Sequence, residues 1–308
     1  MRPAADGSAA SLSVRPQAAS YTVRNSVKTV AAGQPTALSI SGSAPGTIEI
    51  TGTIAADSEP ELRVAPITDP AAFGRTVFIE ALKENGVRVG AAPTGANPVK
   101  LLPSSTRYPA DARVAAFESP TYAEQARLIL KVSLNLGANL AICQLAVKAG
   151  SHDCEDGFVP LRAFLSEAGV DVASLALSDG RGGDPNDRAT PVAVTQMLRH
   201  WVGRPDFDRW RESLPVLGVD GTLGDTGTES PAKGKVFAKT GTAAAGDPLN
   251  GTIQVQAKAL AGYVESPKGW QVFAVVVNNA GASADFAALF QAGTDLGEVA
   301  AALWEQAQ

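Results

Sequence analysis

Three apolar runs in the last quarter of the chain constrain its fold most. Val236 opens a run that ends at Lys239-Thr240-Gly241-Thr242, and Ala257–Val264 and Val272–Asn278 follow, the last apolar through its centre. Runs of this length read as strands. Their spacing allows consecutive strands to pair as antiparallel neighbours. Ser283 is a residue type that caps helices, and a helix to about Gln306 is expected after it, with a break near Gly293. Upstream the pattern is helical. Ser119-Pro120 starts a helix with Leu128, Ile129 and Val132 on its apolar side, and Leu136–Val147 reads as another. A third covers 160–168 and stops at Gly169, and Thr190-Pro191 caps a fourth that runs to about Trp201. Helices, then a three-strand meander, then a closing helix imply an α/β (α+β) layer whose antiparallel sheet is covered by helices.

Residues 1–68 read as β-rich. Ala37-Leu38-Ser39-Ile40-Ser41 and Thr47-Ile48-Glu49-Ile50-Thr51 alternate apolar and polar residues. With few large apolar side chains the segment would hardly fold alone, and it is read as the remnant of an accessory module. Asp69-Pro70 opens a helix with Phe73, Val77, Phe78, Ala81 and Leu82 as its stripe, ended by Asn85-Gly86. Residues 91–112 read as a loop carrying Pro93, Pro98, Pro103 and Pro109. The expected division is therefore 1–68 and 69–308.

Several function classes are excluded. Net charge is −5 with no block of Lys or Arg, so neither nucleic acid nor an anionic membrane surface is an expected partner. No transmembrane segment is expected, because no stretch reaches the ~20 apolar residues that span a bilayer. The start, Met1-Arg2-Pro3-Ala4-Ala5-Asp6, has no hydrophobic signal core, so the chain is expected to be a mature or N-terminally incomplete piece. Cys143 and Cys154 either pair across ten intervening residues in an oxidising compartment or stay separate thiols, Cys143 buried on a helix. Adding His152 gives three metal-ligand types with no fourth at a sensible spacing, so no metal is expected. No cofactor is expected either, since no His-Glu-x-x-His, P-loop or dinucleotide fingerprint occurs. A Gly-x-Ser-x-Gly elbow is also lacking, and neither histidine sits in a Ser-His-Asp-like context.

Two short motifs carry the chemistry. Lys239-Thr240-Gly241 ends a strand, where a backbone N–H can serve an oxyanion hole and a lysine and a threonine can meet an anionic substrate end. Glycine at the third position lets a ligand approach the backbone closely. About a hundred residues upstream, Ser133-Leu134-Asn135 places two polar side chains among Leu130, Val132, Leu134, Leu136 and Leu140, at a junction between helical elements. Polar groups in such surroundings need partners.

With these motifs in order, the chain resembles the C-terminal part of the D-Ala-D-Ala carboxypeptidase/endopeptidase family of low-molecular-mass, class C penicillin-binding proteins. Further blocks agree: Leu130–Leu136 around the Ser-x-Asn, Leu177–Gly182 with Arg181 where serine is usual, Leu214–Leu223, Gly234–Thr242, and Leu260-Ala261-Gly262-Tyr263. The resemblance covers residues 119–279 closely and 1–117 more loosely. It implies a β-lactamase/transpeptidase-like domain, incomplete at its N-terminal side, in the cell envelope, acting on D-Ala-D-Ala stem peptides of peptidoglycan or on β-lactams. By the same resemblance, Ser133 would relay a proton to the leaving amine and Asn135 would bond the substrate amide. Lys239 and Thr240 would hold the terminal carboxylate, and the N–H of Thr242 would form half of the oxyanion hole.

The family's nucleophile lies in a Ser-x-x-Lys on a helix. Here the only such sequence is Ser230-Pro231-Ala232-Lys233, where Pro231 and Gly234 leave no room for a helix. The chain by itself is accordingly expected to lack normal acylation. A non-catalytic muropeptide-binding or scaffold protein, or one half of a two-fragment enzyme, are the alternatives. Association through an exposed, incomplete sheet is also expected.

Overall fold

The computed structural model describes residues 1–44, 46–97, 100, 111, 113–283 and 287–308. Its contacts divide the chain into two compact units, Met1–Ala116 and Phe117–Gln308. That boundary differs from the expected one at 68/69. The helix opened by Asp69-Pro70, α1 (Pro70–Glu84), belongs with the β-rich segment rather than with the second unit.

In the first unit, β1 (Thr22–Val30), β2 (Ala37–Ala44) and β3 (Thr47–Ala55) form one sheet in the order β1-β3-β2. β1 runs parallel to β3, and β2 antiparallel. Val27, Ile50, Ile54 and Ala10 make a small core. α1 is capped by Asp69, whose side chain accepts from the Ala72 N–H. Its apolar stripe differs from the expectation: Thr76 and Ile79 are buried, whereas Phe78 faces out. The buried Thr76 hydroxyl satisfies itself on the carbonyls of Ala72 and Pro93, and Phe73 stacks on Tyr21. Pro98, Pro103 and Pro109 lie outside the described residues.

The second unit carries α2 (Tyr122–Val132), α3 (Asn135–Lys148), α4 (Phe158–Glu167), β4 (Leu175–Ala176), β5 (Arg188–Ala189), α5 (Pro191–Trp201) and α6 (Phe207–Ser213). β6 (Val236–Asp247), β7 (Thr252–Ser266), β8 (Gly269–Asn278), β9 (Ala282–Ser283) and α7 (Ala287–Gln306) complete it. The sheet order is β6-β7-β8, all antiparallel, with β9 pairing the start of β7. Ser283 lies in β9, and the described part of α7 begins at Ala287 and continues unbroken through Gly293, without the expected break. α2 starts later than expected. Thr121 caps it in a reciprocal box with Glu124, which leaves Ser119 and Pro120 outside. Of the three residues assigned to its inner side, Ile129 turns inward while Leu128 and Val132 are each 61% exposed. Leu130 takes their place against the core.

The sheet is covered on both faces. On one, Val236, Ala238, Leu260, Val264 and Phe273 pack against Leu296, Ala300 and Ala301 of α7. On the other, Tyr263, Phe237, Trp270 and Val272 meet α5 and α6 through Leu198, Trp201, Phe207 and Trp210. The Tyr263 hydroxyl, inaccessible to water, donates to the Leu198 carbonyl and accepts from Trp210 Nε1, both at 2.8 Å, so one side chain joins β7, α5 and α6. Tyr263→Phe would leave a buried donor and acceptor unpaired. It is expected to cost about 2 kcal/mol in urea denaturation; an unchanged midpoint would contradict this account. Cys143 near the end of α3 is bonded to Cys154, just before α4, which is the first of the two arrangements the spacing allowed.

Candidate active site

The site begins at the join between α2 and α3. Ser133 takes a left-handed conformation, φ 56°, ψ 52°, as the C-cap of α2, and its N–H donates to the Ile129 carbonyl. Left-handed residues end helices, and serine adopts the conformation at some cost. Two residues on, Asn135 begins α3 with its side chain exposed. The turn is tight: a Cβ on Gly137 would stand 2.5 Å from Cγ1 of Ile129.

β6 brings the second part. Its outer edge is covered at first by residues 215–217: the Leu217 N–H donates to the Val236 carbonyl and the Ala238 N–H to the Pro215 carbonyl. On the inner side, the Glu265 N–H donates to the Lys235 carbonyl. In an antiparallel ladder the direction alternates residue by residue. Even-numbered residues of this stretch therefore direct their N–H and C=O groups outward, including Thr240 and Thr242, beyond the cover of 215–217.

Lys239 and Ser133, 106 residues apart, meet here. Lys239 Nζ donates to Ser133 Oγ at 2.8 Å and to the outward carbonyl of Thr240 at 2.7 Å. Burial pushes the Lys239 ammonium down to about 8. Among the described residues no carboxylate pairs with it. Thr240 Oγ1 lies 2.7 Å from Thr222 Oγ1, with either hydroxyl able to donate. Gly241 packs on β7, where a Cβ would meet that of Ala259 at 3.2 Å. Thr242 Oγ1 accepts from Lys258 Nζ at 2.9 Å.

A supporting layer holds the two parts together. Lys131, in the last turn of α2, donates to both carboxylate oxygens of Asp220 at 2.6 and 2.7 Å; their side chains are 12% and 39% exposed. Asp220 Oδ1 also accepts from the Val216 N–H, and Gly221 lies so close to the Lys131 carbonyl that a Cβ would stand 2.7 Å from it. Asn139, one turn along α3 from Asn135, accepts through Oδ1 from the N–H groups of Gly180 and Arg181. Asp179 organises that loop. Burial raises its carboxyl, but bonds from the Arg181 side chain and the N–H groups of Gly183 and Gly182 outweigh it and bring it to about 2. Arg181, where the resemblance had serine, is ion-paired to Asp179.

The structure thus brings Ser133 and Lys239 into contact and sets Thr240, Gly241 and Thr242 along one free edge. Asn135 lies two residues from that contact, without a hydrogen bond to it. Lys131, Asp220, Thr222, Asn139 and Lys258 were assigned no role from sequence. The first three sat inside the recognised blocks, which was the available signal. Ser230-Pro231-Ala232-Lys233 forms turns, not a helix, with Ser230 Oγ accepting from the Ala232 N–H. Among the described residues no group of three or more His, Cys, Asp or Glu could hold a metal ion, and no helix is long and apolar enough to cross a membrane.

The chain is 32% identical over 287 residues to a D-alanyl-D-alanine carboxypeptidase of Actinomadura sp. (strain R39), covering 90% of this chain and 49% of that protein. It is 26% identical over 238 residues to penicillin-sensitive carboxypeptidase A of Dictyostelium discoideum, covering 75% and 43% respectively. The chain spans about half the length, or less, of these relatives. The crystal structure of penicillin binding protein 4 (dacB) from Haemophilus influenzae, complexed with a β-lactam, matches with a TM-score of 0.60. It is 16% identical and covers 96% of this chain and 66% of that one, a likeness of fold. The family model described as D-Ala-D-Ala carboxypeptidase 3 (S13) matches residues 1–293, and the chain belongs to that family.

Proposed function

We propose that residues 117–308 form the substrate-holding part of a D-Ala-D-Ala carboxypeptidase-type serine hydrolase acting on peptidoglycan stem peptides. The observation that carries this reading is the Lys239–Ser133 bond, made by a desolvated lysine with no carboxylate partner among the described residues. An ammonium has only donors, so Ser133 Oγ must accept from Lys239 and direct its own proton elsewhere. That arrangement suits a relay in which the Ser133 proton passes to a leaving amine while Lys239 replenishes it. A value near 8 keeps Lys239 charged, yet able to release a proton, close to neutral pH. Lys239 and Thr240 would take the terminal carboxylate, Asn135 the substrate amide, and the outward N–H of Thr242 the carbonyl oxygen.

Attack on that carbonyl needs a nucleophile, and among the described residues no helix carries a Ser-x-x-Lys to supply one. In this reading the chain alone binds stem peptides without turning them over. The Cys143–Cys154 bridge favours an oxidising, cell-envelope location. Completion of the site by further polypeptide, of the same protein or of a second one, is favoured by the apolar side chains bared beside Ser133, Leu128 and Val132 among them.

The test is intact mass after incubation with excess benzylpenicillin, with a D-Ala-D-Ala peptide titrated in parallel. Peptide binding with no penicilloyl adduct is the expected result. A stoichiometric adduct on one serine would overturn the account of the nucleophile, and no peptide binding at millimolar concentration would overturn the reading of the site.

A further inference from the structure

We propose that Lys258 is a positioning residue that turns the Thr242 hydroxyl into a hydrogen-bond donor for the carboxylate of a ligand at the β6 edge. The inference rests on the ligand-binding reading of Lys239–Thr242 and adds to it a residue that neither motif contains. Thr242 and Lys258 are direct partners across β6 and β7. Since Thr242 directs its backbone groups outward, theirs is a non-hydrogen-bonded pair, the kind in which cross-strand side chains stand closest.

The direction of the Lys258–Thr242 bond comes from chemistry alone. An ammonium offers three donors and no acceptor, so the lysine must donate and the hydroxyl must accept. The Thr242 proton then turns away from Lys258, and the Thr242 side chain is exposed on the open edge. The neighbouring Thr222–Thr240 pair carries no such instruction, because either hydroxyl can be the donor. Lys258 thus specifies a donor at one of two otherwise ambivalent threonines and sets an unneutralised positive charge behind it, a combination that favours a carboxylate over a neutral amide.

Two further observations support a functional rather than a merely packed lysine. Its charge is not neutralised within the protein: among the described residues no carboxylate pairs with it, and burial pushes its ammonium down. Space is also kept for it. Gly293 of α7 lies over its end, where a Cβ would stand 3.1 Å from Lys258 Cε and 3.3 Å from Nζ. Lys239, reaching Ser133, and Lys258, reaching Thr242 from β7, bring positive charge to β6 from the two faces of the sheet.

The experiment tracks backbone amide shifts of the 308-residue chain during titration with three probes: acetate, an N-acetylated peptide ending in D-Ala-D-Ala, and the same peptide as its C-terminal amide. Lys258→Met is expected to weaken acetate and the acid peptide about tenfold and to leave the amide peptide unchanged, one charge-assisted bond being at stake. Lys258→Arg, which keeps a cationic donor, should restore most of the loss. With Thr242→Val already present, Lys258→Met should have no further effect. Equal losses for acid and amide peptides, or no rescue by arginine, would reduce Lys258 to a structural residue and overturn the inference. Lack of an acetate response at Thr242 in the parent chain would overturn it too. An acetate response that depends on Lys258, without peptide binding, would sink the stem-peptide reading while leaving this one standing.

Discussion

Lys239→Ala is expected to lower affinity for a D-Ala-D-Ala-terminated peptide about a hundredfold, the largest effect of any single substitution in this site. In the proposed function the lysine supplies the charge that would face the carboxylate; it also holds Ser133, and removing a desolvated charged partner typically costs several kcal/mol. The pH dependence is set by its titration. The ammonium is charged below about 8 and neutral above it. Carboxylate affinity should therefore be flat below pH 7 and fall about tenfold per unit above 8. Stability should run the other way. Because the folded value lies below the ordinary lysine value, the unfolded chain binds the extra proton, and the protein gains stability as pH rises from about 8 towards 10. Lys258, shifted in the same direction, adds to that gain. Calorimetric titration and urea denaturation, each across pH 6 to 10, would read the two slopes. Constant affinity through pH 9 would show that Lys239 is not the group that meets the carboxylate.

The second large effect is expected at Asp220, which touches no ligand in this account. Asp220→Ala would strand the nearly buried ammonium of Lys131 and take away the acceptor of the Val216 N–H. Part of Asp220 faces water, which screens the pair, so the expected loss is about 2 kcal/mol rather than the larger figures for fully buried ion pairs. Binding should fall as well, because Lys131 stands two residues before Ser133 and its carbonyl rests on Gly221. Lys131→Met should cost less, since it leaves Asp220 its bond to Val216 and a route to water. If both substitutions left urea midpoints and peptide affinity unchanged, the bridge would be a surface contact without consequence.

The outline of the second unit was legible because its signals are local. Thr190-Pro191 caps α5, and α5 ends at Trp201, as capping chemistry required. The β7 and β8 runs are dense in β-branched and apolar residues. Legibility ended where a residue's partner is distant or its neighbours are small. β6 continues past Thr242 through Ala243-Ala244-Ala245-Gly246, a stretch with no period to read, and is a strand because β7 pairs with it. The stripe of α1 was misjudged because a threonine that finds two carbonyls is as good an interior residue as a phenylalanine, and Pro93, which supplies one of them, is remote in sequence. Within the site, Ser133 and Lys239 were visible as motif letters. The left-handed turn that aims Ser133 was not, because serine has no local preference for it. Lys258 acquires its meaning only from register, and a slip of one residue would have turned it to the other face of the sheet.

The uncovered stretch of β6 has a consequence for the life of the protein before it meets any ligand. Beyond Ala238 the strand offers outward peptide groups to whatever approaches, and an open edge is an invitation to pair with another copy. A lysine set in such an edge, whose charge an intruding strand would have to bury, is a common safeguard against fibre-like stacking. Lys239 holds that position, so the ligand-binding role proposed for it and protection against self-association would rest on the same side chain. A lineage that gave up the chemistry would still have reason to keep it.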